Sequence, residues 1–230
     1  MQGGDVKDKS VLGVFGGTFD PIHCGHLELA RELRSRLGLA AIRFVPAGDP
    51  PHRAPPIATA AHRLAMVELA VAPHAGLEVD ARELDRAGRS YTVTTLEELR
   101  DEDPARTLAL ITGADAFLGL PTWHRWRDIF ELAHVVVVGR PGVAIEADMP
   151  PELADEWSRR LSRDAAALTA NPAGQIVLQE VTAHPISASA IRESLGRRAG
   201  GIDAVRGLLP AAVLAYIEHN HLYNSDQDAT

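Results

Sequence analysis

The stretch "GVFGGTFDPIHCGH", residues 13–26, sets Gly16, Gly17 and Gly25 beside Pro21, His23 and His26 just after the first apolar run, "VLGVF" at 11–15. Glycines at the end of a strand let the backbone come close to a ligand, and a helix starting between His23 and Gly25 would aim free amide groups at a phosphate. The stretch therefore reads as a nucleotide-binding turn between a strand and a helix. It is neither the Walker pattern, which needs Gly-Lys followed by Ser or Thr, nor the dinucleotide fingerprint G-x-G-x-x-G. A tight strand-to-helix turn would explain the glycines equally well, so the histidines carry the reading. Three apart at a helix start, His23 and His26 can both face the site, each offering a hydrogen bond to a phosphate oxygen. A helix cap or a metal pair is the alternative use. A metal would need further ligands, and Cys24 points away from the face that positions 23 and 26 share.

Outward from this turn, short apolar or β-branched runs recur at 42–46, 77–81, 107–112, 134–139 and 175–181, with helical patterns between them. The first such pattern, "HLELARELRSRLG", carries Leu29, Leu33, Arg36 and Leu37 at three- and four-residue spacings and closes on Gly38. Strand alternating with helix predicts an α/β fold with a parallel sheet covered on both faces, and the run Val135–Val138 suits a strand buried on both sides. The segment 141–174 is longer than an ordinary crossover and is expected to be an insertion with one or two helices of its own. Near the end, Pro210 precedes an apolar stripe of Val213, Leu214 and Ile217, which predicts a small structural helical portion at the C-terminus. One domain spanning 1–230 is expected, with mobile tails at 1–10 and 224–230.

At 230 residues and 46% hydrophobic, the chain can bury a sizeable core. It has no run of roughly 18 to 20 apolar residues that would span a membrane. The start, "MQGGDVKDKS", lacks the charged and apolar regions of an export signal, so a cytoplasmic protein is expected. The single Cys24 rules out an intrachain disulfide. A net charge of −8 argues against binding nucleic acid or an anionic membrane. An anionic small substrate is compatible with that charge provided the pocket itself is locally basic. Self-association is left open.

In an open parallel sheet, ligands bind beyond the carboxyl ends of the strands, where strand order reverses. The unusual segments all follow strand-like runs: "PAGDPPHR" at 46–53, "GRSYTV" at 88–93, "TGADAF" at 112–117, "GRPG" at 139–142 and "HPISASAIR" at 184–192.

The opening string resembles the "GGxFDPxHxGH" signature of the nucleotidyltransferase superfamily with the (H/T)xGH motif, matched at Gly16, Gly17, Thr18, Phe19, Asp20, Pro21, His23, Gly25 and His26. The resemblance implies a Rossmann-like fold that transfers a nucleotidyl group from a nucleoside triphosphate, with the histidines on its phosphates. "ISASAIR" at 186–192 is similar to the second signature of that superfamily, "ISSTxIR"; Ser187 and Ser189 would cap a helix and meet phosphate, and Arg192 would add charge. Ala188 departs from the pattern, so no hydroxyl role falls there.

The remaining loops look like those of bacterial nicotinate mononucleotide adenylyltransferases: "PPHR" at 50–53, "SYTVTTL" at 90–96, "GADAF" at 113–117 and "LPTWHRW" at 120–126. That resemblance implies Trp123 stacked on the pyridine ring, and Tyr91 and Thr92 at the nicotinate carboxylate. Arg53, more often lysine in the family, would stand at the mononucleotide phosphate with Gly17 and Thr18. On the ATP side it implies Gly16, Gly17, Thr18, Phe19, His23, His26, Gly113, Asp115, Ser187, Ser189 and Arg192, with His23, His26 and Arg192 catalytic. Mg²⁺ would arrive with ATP rather than in a carboxylate cage of the protein. Trp123 and Trp126 as two core aromatics, Asp115 as a helix cap, and Arg140 in the pocket or capping a loop remain alternatives. So do adenylyl transfer to phosphopantetheine and a nucleotide-binding regulator without turnover.

Overall fold

The computed structural model describes residues 10–48, 55–139, 144–181, 186–197 and 200–224. Arg53, Arg140 and nearly all of both expected tails lie outside them.

The first apolar run is strand β1 (Val11–Gly17), followed by helix α1 (Cys24–Leu37) and strand β2 (Ala41–Pro46). Helix α2 (Ala60–Val71) leads to β3 (Leu77–Val79), and α3 (Arg82–Asp85) and α4 (Thr92–Glu102) return the chain to β4 (Thr107–Gly113). Short helices α5 (Ala114–Leu118) and α6 (Ile129–Leu132) precede β5 (His134–Gly139). Next come α7 (Pro151–Arg160), β6 (Leu161–Ser162), α8 (Ala167–Ala170) and β7 (Ile176–Glu180). Helices α9 (Ala188–Leu195), α10 (Gly201–Val205) and α11 (Ala211–His219) close the chain.

The strands form one sheet in the order β3-β2-β1-β4-β5-β7-β6, with every pairing parallel. This is the doubly wound, Rossmann-like α/β arrangement that the strand-helix alternation predicts. Strand order reverses between β1 and β4, so the crevice for a ligand lies beyond Gly17 and Gly113.

Successive residues of a strand face opposite sides, and β1 divides accordingly: Val11 and Phe15 join one core, Leu12 and Val14 the other. Val135, Val136 and Val137 are fully buried, which is why that run shows no alternation; Val138, the last of it, opens onto the crevice.

Two sequence expectations are corrected. Helix α1 buries Leu27, Ala30, Leu33 and Leu37, not the stripe through Leu29 and Arg36. The two stripes share Leu33 and Leu37, so spacing alone does not choose between them. Packing against the sheet does, leaving Leu29 at the crevice and Arg36 outside, 2.7 Å from Glu32. The 141–174 insertion holds helices α7 and α8 as expected, but also β6, which adds an edge strand beside β7. A two-residue strand is too short to leave a period in the sequence. Among the described residues no helix is long and apolar enough to cross a membrane.

Candidate active site

The crevice at the reversal point is a cavity of about 940 Å³. Its wall brings together Gly16, Gly17, Thr18, His23 and His26 from the first turn, Tyr91 and Thr92 at the start of α4, Gly113 and Asp115 at the end of β4, and Trp123. Phe19, Ser187, Ser189 and Arg192 are not part of this wall; Phe19 is buried, and Ser187 and Ser189 are exposed.

Gly17 is required by close approach: a Cβ there would lie 2.8 Å from Cζ of Phe19. The Phe19 ring is buried under the turn, edge-on to His26 with centroids 5.2 Å apart. At Gly16 and Gly113, by contrast, a Cβ would meet nothing within 4 Å, so both strand ends face open space in the crevice.

His23 is the N-cap of α1 and stacks on His26 with ring centroids 3.7 Å apart. The amide of His23 donates to Nδ1 of His26 at 3.3 Å, which fixes the neutral His26 tautomer with its proton on Nε2. Burial lowers the pKa of His23 to about 4; burial and then the neighbouring His23 lower that of His26 to about 3. Both imidazoles are therefore neutral near pH 7. The free helix amides expected here are partly used within the protein, since Cys24 N donates to Leu208 O at 2.9 Å and His26 N to His23 O at 3.0 Å. Beside these amides, His26 lines the crevice and can donate through Nε2, and Nδ1 of His23 is buried and unpartnered.

The turn preceding the histidines is held from three distant parts of the chain. Arg63, 2% exposed on α2, donates to Thr18 O at 2.8 Å. Arg192 donates to Asp20 O at 2.6 Å and to Ser189 Oγ at 3.3 Å. The buried Asp20 carboxylate accepts from Ile57 N at 2.8 Å, Ala58 N at 3.1 Å and Tyr223 Oη at 2.7 Å. Ser187 caps α9 by accepting from Ala190 N at 3.1 Å, the capping role expected of it.

At the other end of the cavity the two tryptophans divide. Trp126 is buried, edge-on to Phe130 with Arg127 over its ring, whereas Trp123 is half-buried and lines the crevice. His124 lies 4.5 Å, centroid to centroid, from the Tyr91 ring and also lines the cavity. Behind Tyr91 sits Glu83, whose carboxylate accepts from Thr95 Oγ1 at 2.7 Å and is hydrogen-bonded by the Gly48 backbone. Burial pushes the Glu83 carboxyl up, against those two hydrogen bonds and the charge of Arg86. Arg86 bridges Thr95 and Glu98, and Arg82 joins Glu98, Asp80 and Glu102, so ion pairs run from the back of the site to the edge of the sheet. Neither Glu83 nor His124 belongs to a local motif that names its role, and nothing near Arg63 or Tyr223 in the sequence points to the first turn.

The expected basic pocket is not what the described residues form. The wall contains Glu83, Asp115, Asp148 and Glu180 but, among the described residues, no lysine or arginine. Positive charge nearest the turn comes from Arg63 and Arg192, both spent on backbone carbonyls. Neutral donors in a low-dielectric crevice are thus what this part of the protein offers an anion.

A parallel α/β sheet whose reversal point opens between a preorganised pair of neutral histidines and an aromatic wall defines a nucleotide-binding enzyme class, with room for a triphosphate and a second ring. Residues 14–194 match the family described as Cytidylyltransferase-like. The chain is 50% identical over 216 residues, 93% of this chain and 98% of the relative, to "Probable nicotinate-nucleotide adenylyltransferase" of Dechloromonas aromatica. It is 47% identical over 214 residues, 93% of this chain and 96% of the relative, to the protein of the same name in Acidithiobacillus ferrooxidans. The solved Plasmodium falciparum nicotinic acid mononucleotide adenylyltransferase in complex with NaAD shares the fold with a TM-score of 0.69 at 15% identity, over 93% of this chain and 97% of that one. The chain belongs to the cytidylyltransferase-like family and, within it, to the nicotinate-nucleotide adenylyltransferases.

Proposed function

We propose that the chain transfers the adenylyl group of ATP to nicotinate mononucleotide, forming nicotinate adenine dinucleotide and releasing pyrophosphate, a step of NAD biosynthesis. The observation that carries this reading is that the histidine pair and the Tyr91–Thr92 and Trp123 wall face one cavity across the reversal point of the sheet. Thr92 opens the eleven-residue helix α4, whose N-terminal amides and dipole favour an anion such as the nicotinate carboxylate. The half-buried Trp123 ring offers a face to the pyridine.

The acceptor phosphate is already largely ionised near pH 7, since its second pKa is about 6, so no general base is needed. One of its oxygens forms a bond to the α-phosphorus of ATP while the bond from that phosphorus to the bridging oxygen breaks, and pyrophosphate leaves with the electron pair. The difficulty is bringing two anions together, so the chain contributes position and hydrogen bonds. His26 would donate through Nε2 to the oxygens where charge accumulates, with His23 stacked beside it. A neutral imidazole still donates through its one N–H, so the task requires no change of protonation state. Arg192, fastened at Asp20 and Ser189, would add positive charge at the same turn. Mg²⁺, bound to the triphosphate, would neutralise charge on the departing pyrophosphate; Asp115 is the acid of the crevice wall at the end of β4. Arg53 at the mononucleotide phosphate is part of the same reading, on the sequence resemblance alone. A reducing cytoplasm suits a chain whose single thiol has its pKa raised by burial.

Pyrophosphate release with ATP and Mg²⁺ tests this, run in parallel with nicotinate mononucleotide, nicotinamide mononucleotide and phosphopantetheine. Release is expected with nicotinate mononucleotide well above the other two. Release with phosphopantetheine alone would keep the ATP half and overturn the role of Trp123. Binding of ATP without release for any acceptor would favour a regulator.

A further inference from the structure

Tyr223 follows the last helix, more than two hundred residues from the first turn, yet its hydroxyl reaches the Asp20 carboxylate at 2.7 Å. The Asp20 carboxylate is buried and accepts two further hydrogen bonds, from Ile57 N and Ala58 N, the backbone that continues from the loop after β2. Asp20 thus ties the phosphate-facing turn to the backbone just before α2, and Tyr223 supplies the third donor that fixes its orientation.

The backbone points the same way. Among the described residues, the non-glycine positions with positive φ are Phe19 at 49°, Arg125 at 50°, His221 at 52° and Tyr223 at 65°. Two of the four are at this contact, Tyr223 itself and Phe19 beside Asp20; His221 is the left-handed residue that ends α11, where Leu222 N donates to Ile217 O at 3.1 Å. A bulky side chain in the left-handed region is unfavourable and persists only where surrounding structure over-determines it, as the Asp20–Tyr223 hydrogen bond does here. Tyr223 is 7% exposed, and burial together with the Asp20 charge keeps its phenol protonated, a donor at every physiological pH. Neither Tyr223 nor Asp20 lines the cavity, so neither acts on a ligand directly.

We propose that Tyr223 is a positioning residue for the phosphate-binding turn, acting through the Asp20 carboxylate so that the end of the chain sets the placement of His23 and His26. Its effect on turnover rests on the adenylyltransferase reading; its effect on nucleotide binding does not.

The test compares Tyr223→Phe, which keeps the ring and removes the hydroxyl, with Tyr216→Phe, which breaks the 2.9 Å hydrogen bond to His62 between α11 and α2 without touching the turn. Each is measured for thermal melting, for binding of an ATP analogue with a methylene bridge between the α- and β-phosphates, and for pyrophosphate release with nicotinate mononucleotide. Tyr223→Phe is expected to bind the analogue about tenfold more weakly, the scale of one charge-assisted hydrogen bond, and to lose kcat at least as strongly. Tyr216→Phe is expected to shift the melting temperature alone. In an Asp20→Asn background, where the acceptor is already altered, Tyr223→Phe should add less than twofold. Equal melting shifts in the two single variants with analogue affinity unchanged in both would overturn the proposal, as would full additivity with Asp20→Asn. If the wild-type chain releases no pyrophosphate with nicotinate mononucleotide, the functional reading fails, and the binding comparison still decides the role of Tyr223.

Discussion

The two ends of the crevice are built in different ways. The phosphate end is a single turn of chain, held by hydrogen bonds from Arg63, Arg192 and Tyr223 to its backbone and to one carboxylate, with its Cys24 amide donating to Leu208 O. The acceptor end is assembled from separate segments, Glu83, the Tyr91–Thr92 corner and the Trp123 loop, braced by partly exposed ion pairs among Arg82, Arg86, Glu98 and Glu102. A turn pinned through its backbone and one buried carboxylate has one geometry; a braced wall can shift as its side chains do. On the proposed function, chemistry common to all acceptors falls to the first and acceptor choice to the second.

That contrast fixes the order of expected effects. His26→Ala should cost about 10²- to 10³-fold in kcat, the range for removing one preorganised donor, with little change in KM for the mononucleotide. Single-turnover kinetics on a variant that melts like the wild type would check this, and full turnover would remove His26 from the reaction.

The next effect is on stability in acid. The folded state depresses the pKa of His23 to about 4 and of His26 to about 3. Their contribution is therefore complete above the unfolded value of about 6.5 and lost as pH falls from there toward 4, at up to about 1.4 kcal/mol per pH unit for each histidine. Denaturant unfolding at pH 7.5 and pH 5 should show the drop, and His26→Gln should flatten it. A stability equal at both pH values would contradict neutral, buried imidazoles.

The tryptophan pair separates binding from packing. Trp126→Ala should destabilise the fold by about 3–5 kcal/mol, as large-to-small core changes do. Trp123→Ala should raise KM for nicotinate mononucleotide roughly tenfold, the worth of one stacked ring, while leaving KM for ATP near the wild-type value. Equal effects of Trp123→Ala on both substrates would mean that the wall does not serve the acceptor. The smallest effect is expected at the rim of the brace: Glu102→Ala, on a side chain 54% exposed, should cost less than about 1 kcal/mol and leave both KM values alone.

The same contrast explains what the sequence disclosed. The sheet was legible because strand and helix alternate and each unusual segment follows a strand. His23 and His26 were legible because positions three apart at one helix start share a face. Trp123 was told from Trp126 only by the family resemblance, since the spacing of two residues three apart on an irregular segment carries no marker of which one faces the crevice. The partners of the first turn were hidden for a different reason. Asp20 meets Tyr223 across 203 positions and Arg192 across 172, and no local pattern encodes a contact of that span. Glu83 carries no signal in the sequence, because its place is set by α4, which brings Thr95 over it.

The central claim is that a nucleotidyl group moves between two ligands held in this one crevice. Incubating the chain with Mg²⁺, nicotinate mononucleotide and ATP labelled at the α-phosphate, and then locating the label by mass or chromatography, tests that claim most directly. The account predicts the α-label in nicotinate adenine dinucleotide, with pyrophosphate formed in equal amount. Label recovered in free AMP or ADP, or left in ATP while the nucleotide stays bound, would contradict it.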